Sequence, residues 1–72
     1  MARIYTARYE SIPSGYLGQL VEWPEVVTEG TTLEECRLML EDAAREMVIA
    51  YRENGMDVPE PAEKIDRILV EA

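Results

Sequence analysis

The sequence predicts an α+β fold: a small, mostly antiparallel sheet packed on one long amphipathic helix, in the order β-β-β-α-β. Three observations carry this. A capped stretch with helical periodicity runs from Leu33 to Glu53. Before it lie three β-rich segments separated by turn formers, and after it a Pro-rich connector leads into a short apolar run. One helix over one face of a sheet gives two layers around a single core.

Arg3 to Glu10 mixes Ile4, Tyr5, Thr6 and Tyr9, a β-rich composition without helical spacing. Ser11-Ile12-Pro13-Ser14-Gly15 supplies a turn, since Pro13 fixes φ and Gly15 tolerates positive φ. Tyr16 to Trp23 is the expected second strand, hairpin-paired with the first. It stops at Pro24, which has no N–H to give to a central ladder. Val26-Val27-Thr28 is a short third strand closed by Gly30.

The helix has the clearest boundaries. Thr32 followed three residues later by Glu35 is a capping box. In it the Thr32 hydroxyl takes one orphan N–H and the Glu35 carboxylate returns to another. Glu34 and Glu35 suit the positive end of the helix dipole. Asn54-Gly55 is a C-cap, with Gly55 at the left-handed position. Twenty-one residues make about 31 Å of helix. A globule of this chain length has a radius of gyration near 11 Å, so the helix spans the domain and overhangs the sheet.

At 100° per residue, Leu33, Cys36, Leu40, Ala44, Met47, Val48 and Tyr51 form the core face. Leu38 and Ile49 fall together on the opposite, charged side, with Asp42 among their neighbours. Two apolar residues there are either incidental exposure or a protein contact. Leu38, Asp42 and Ile49 are therefore the candidate partner-binding residues. Val58-Pro59-Glu60-Pro61 is an extended connector. Lys64 to Glu71 suits either a helix or a strand, and its β-branched content favours a strand.

Composition limits function. Seventy-two residues form one domain, 1–72, with a marginal core. Cys36 is the only cysteine and there is no histidine, so neither an intrachain disulfide nor a zinc site is available for stabilisation. Self-association, as a homodimer or higher oligomer, is the expected remedy. Fifteen acidic against seven basic residues give a net charge of −8, which repels phosphate backbones and suits a basic protein partner. No apolar run approaches a membrane span, and Met1 to Tyr5 lacks a signal-peptide core, so a cytoplasmic location is expected.

Catalytic parts are scarce. The commonest general base is missing, and Cys36 sits on the core face as a small hydrophobe. Glu34, Glu35, Glu41, Asp42 and Glu46 crowd one helix, as Mg²⁺ ligands or as a solvated charged face. Arg37, Arg45 and Arg52 at helical spacing favour the solvated face. The four glycines are too scattered for a phosphate cradle. The expectation is a non-enzyme with no cofactor and no metal.

Several segments carry a resemblance. Gly15-Tyr16, Trp23-Pro24, the run from Thr28 to Cys36, Gly55 and Val58-Pro59-Glu60-Pro61 together resemble the HicB antitoxin family. Val21-Glu22 stands where that family often has Pro-Asp, Glu25 where Gly is common, and Cys36 where Ala is usual. The resemblance implies a partly degraded ribonuclease H-like fold without catalytic carboxylates, assembled as dimers or tetramers. It also implies a small basic HicA-type RNA-cleaving toxin as partner. Many such antitoxins carry a C-terminal DNA-binding domain, which is not expected here, so operator binding is not carried over. The alternative is an orphan self-associating regulatory or scaffold module without a toxin.

Overall fold

A computed structural model describes residues 2–62 and 64–71. Three antiparallel strands, β1 (Ala7–Ile12), β2 (Gly15–Leu20) and β3 (Val27–Gly30), precede one helix, α1 (Leu33–Glu53). The strands follow sequence order, β1-β2-β3, with α1 packed over β2 and β3. The expected α+β architecture is present, and the helix boundaries are those the caps predict.

The first hairpin turns on Pro13-Ser14, with Ile12 opposite Gly15. Two-residue hairpins favour turns whose first central residue has φ > 0, which proline cannot adopt. Gly15 supplies the positive φ two residues later, at 138°. A Cβ there would lie 2.2 Å from the Gly30 carbonyl oxygen.

The strands start and stop later or earlier than expected, for nameable reasons. β1 begins at Ala7, not Arg3, because the Thr6 N–H is taken by the Glu22 carboxylate at 2.8 Å instead of by a ladder partner. Tyr5 is drawn off to Trp23, with ring centroids 6.0 Å apart. β2 ends at Leu20, short of Trp23, because the chain turns there: Val26 N–H donates to the Trp23 carbonyl and Leu20 N–H to the Val26 carbonyl. β3 extends to Gly30 rather than stopping at Thr28.

At the helix start the Thr32 hydroxyl accepts from Glu35 N–H at 3.0 Å, as expected. The return bond differs. Glu35 accepts from the Thr31 N–H, at 3.0 Å, and from the Thr31 hydroxyl, so the box closes one residue earlier than the usual motif. The C-terminus is a Schellman arrangement. Gly55, at φ 66°, donates to the Arg52 carbonyl and Met56 to that of Tyr51.

The core is small: Leu20, Trp23, Val26, Cys36 and Leu40 are buried. Ala44, Met47, Val48 and Tyr51 flank it as the helical periodicity requires, and Ala43 joins them. Leu33 does not; it is 48% exposed. The helix meets the sheet one turn later, at Cys36, so its first residue projects past the contact. Trp23 packs edge-on against Tyr51 at 4.9 Å, and among the described residues its buried Nε1–H has no acceptor.

The two layers approach closely at Cys36. A Cβ on Gly30 would fall 2.5 Å from the Cys36 backbone nitrogen, and one on Gly18 would fall 2.9 Å from its Sγ. The Tyr9 ring covers Gly18 from the neighbouring strand.

Lys64 to Glu71, expected as a fourth strand, forms none; the segment is irregular and its apolar side chains are exposed. Strand geometry requires a neighbouring backbone, and among the described residues none pairs with it.

Gly30→Ala is expected to lower stability by about 2 kcal/mol or more, because backbone must move to admit the methyl group. In a domain of this size that is a fall in Tm of roughly 10 °C. Gly55→Ala meets open space and strains only φ, a cost of about 1 kcal/mol. Thermal melts followed by circular dichroism check both; equal losses would contradict the close-approach account.

Candidate interaction surfaces

Because α1 lies over β2 and β3, the inward side of β1 has little helix above it. An open groove of about 640 Å³ occupies that space. Ala7 and Tyr9 of β1, Ile4 and Tyr5 before it, and Val48 and Ile49 of α1 supply its apolar lining. Arg37, Arg45 and Arg52 stand along the helical wall, and Arg3 and Val58 also line the groove. Four of the chain's seven basic residues thus border one groove in a protein of net charge −8.

The helical charges are partly neutralised in place. Arg37 pairs with Glu41 at 3.5 Å, and Arg45 donates to the Asp42 carboxylate. Both pairs are well exposed, so each contributes little to stability. Among the described residues Arg52 makes no ion pair. Its position in the last helical turn suits the negative end of the dipole.

Of the three candidate partner-binding residues, Leu38 and Ile49 are 56% and 58% exposed. Asp42 is exposed and held by Arg45. All three lie on the outward side of α1, but only Ile49 reaches the groove. The groove itself was not predicted. Its helical wall is nonetheless visible in the sequence as a stripe, Arg37, Glu41, Arg45, Val48 and Arg52, at spacings of three and four.

The connector after α1 is tied to the N-terminal segment. The Tyr5 hydroxyl donates to the Pro59 carbonyl at 2.6 Å, and Arg3 to that of Val58 at 3.3 Å. Glu22 makes the third tie, accepting from Thr6 and Ala62 N–H groups at 2.8 and 3.1 Å and from the Thr6 hydroxyl. Partial desolvation pushes the Glu22 carboxyl up, but these hydrogen bonds together outweigh it and hold the pKa below the usual carboxylate value.

No family model, curated protein or solved structure matches this chain. The surfaces must therefore be read from their own chemistry.

Cys36 is buried, with its Sγ 3.9 Å from the Thr28 carbonyl. Burial pushes its thiol pKa up, and Glu29 and Glu35 add to the effect by disfavouring a thiolate. Among the described residues, no group of three His, Cys, Asp or Glu side chains is placed to hold a metal ion. No helix among them is long and apolar enough to cross a membrane.

Two outcomes follow from these environments. A disulfide-exchange reagent should leave Cys36 unmodified in the native protein and titrate it fully in denaturant; rapid native labelling would contradict a buried, protonated thiol. Glu22 contributes stability above the ordinary carboxylate pKa, and that contribution is lost as pH falls through its lower native value. Glu22→Gln should therefore cost about 1 kcal/mol near neutral pH and flatten the acid side of the stability profile. An unchanged acid limb would remove Glu22 as the anchor.

Proposed function

We propose that this chain is a non-enzymatic protein-binding domain of the HicB-like kind, self-associating and acting by contact. On this reading its partner is a small basic HicA-type toxin, an RNA-cleaving protein that it neutralises by covering the active surface. Blocking an active site calls for shape and charge and for no reaction of its own. The observation that carries the reading is an acidic chain, net −8, that leaves large apolar side chains in water on the outward side of its helix. Leu38 and Ile49 would supply apolar contact and Asp42 a charge for a basic surface. A reducing, cytoplasmic compartment suits the lone buried thiol.

The second reading, an orphan self-associating module, is favoured by a separate observation: the apolar segment 65–70 is exposed in a single copy. A toxin and self-association are compatible, so the readings differ only in whether a second protein is bound.

The test is to mix the purified chain with a short basic protein encoded beside it and to follow cleavage of an RNA substrate. Cleavage should stop near equimolar addition, and binding should weaken as salt rises. Leu38→Glu combined with Ile49→Glu should weaken inhibition by about tenfold or more while the helix signal is retained, since a central contact is worth at least about 1.4 kcal/mol. Absence of any such neighbouring protein, or full cleavage in the presence of excess chain, would leave the toxin reading without support.

A further inference from the structure

We propose that Lys64 to Glu71 is a docking strand for a second copy of this chain, laid along the free edge of β1. The Asp66, Ile68 and Val70 side chains would turn into the groove beside α1. This rests on the self-association part of the reading above and not on any toxin.

The segment is apolar and unused. Ile65, Ile68, Leu69 and Val70 are 59, 82, 90 and 75% exposed, four large hydrophobes within six residues. Contiguous apolar surface of this kind marks a contact. Its β-branched content and lack of Pro or Gly suit a strand, and only a partner backbone is lacking.

The missing backbone is available at β1. That strand pairs on one side with β2 and stands at the edge of the sheet. Its outer N–H and C=O groups form a template for an added strand. Eight extended residues reach about 26 Å, enough to follow all six residues of β1, about 20 Å.

The groove matches one face of the segment. In a strand, Asp66, Ile68 and Val70 point one way, after Lys64, while Ile65, Arg67, Leu69 and Glu71 point the other. The first set offers two branched aliphatics to Ala7, Tyr9 and Val48, and a carboxylate to the arginine wall. Arg52, without an ion pair among the described residues, is the natural partner for Asp66.

A second copy fits better than the chain's own edge. Ala62 is held by Glu22 at the end of the sheet, and residues 64–71 are exposed. The radius of gyration is 13.8 Å, against about 11 Å for a compact chain of this length. Each copy also carries both the strand and the groove, so a two-fold pair closes with two identical joints and occupies both β1 edges.

Light scattering on the full chain at micromolar concentration tests this, with a dimer of twice 8.2 kDa expected. Ile68→Glu combined with Val70→Glu should give a monomer at the same concentration, with at least about a tenfold weaker dissociation constant and an undiminished helix signal. Leu38→Glu, away from the groove, should remain dimeric. A monomeric full chain would overturn both this inference and the self-association reading. A dimer that survives the paired substitution would overturn the docking strand alone. Loss of the fold in that variant would place the segment in its own core, and would equally overturn the proposal.

Discussion

The contact on which the architecture depends is the one between Cys36 and the two glycines beneath it. At Gly18 and Gly30 the sheet offers backbone where it would normally offer side chains, and α1 drops onto it. The positions lie on neighbouring strands, so the helix is seated over β2 and β3 and not over the middle of the sheet. Everything lateral follows from that offset. β1 has little helix above it, Tyr9 leans across to cover Gly18, and the arginines on that flank of α1 border the groove. The groove is thus the complement of a close contact elsewhere. A sheet with alanines at those two positions would carry its helix higher.

The other end of the molecule is held by aromatic packing. Trp23 lies between Tyr5 and Tyr51, so one side chain from the β2–β3 turn meets both the N-terminal segment and the last turns of α1. Aromatic pairs add about 0.5–1.5 kcal/mol each beyond their buried area. Among the described residues the buried indole N–H has no acceptor. Tyr51 also reaches outward, its hydroxyl donating to Glu25 at 2.9 Å, which fixes the ring against the turn. With five buried hydrophobic residues among those described, little of the core is dispensable.

What the sequence reveals is mostly local. The helix is legible to the residue because Thr32 and Asn54-Gly55 act on their immediate neighbours, and the outward placement of Leu38 and Ile49 needs only the 100° repeat. Of the strand pairing only the first hairpin is legible, because its short turn leaves one choice; the place of β3 beside β2 is not. Strand ends are not, since they are decided by Glu22 capturing Thr6 across 16 residues and by Tyr5 leaving for Trp23. The return bond of Glu35 is a matter of side-chain reach that residue spacing does not specify. The groove is hidden for a deeper reason: the stripe from Arg37 to Arg52 becomes a wall only once the sideways seating of the helix is known. Segment 64–71 has strand composition, but composition records a preference and not the presence of a neighbour.

The order of contacts along the chain bears on how the molecule assembles and opens. β1 meets β2, β2 meets β3, and β3 meets α1, so each layer forms against the one just completed. Such short sequence separations favour rapid folding. A far longer loop is closed by the clasp between Arg3 or Tyr5 and Val58 or Pro59, which spans more than 50 residues and rests on a few polar contacts. Closing so long a loop costs more entropy than closing the hairpins. Amide protons near Ala62 should then exchange through brief unclasping, long before those of the strands and helix are released by global unfolding.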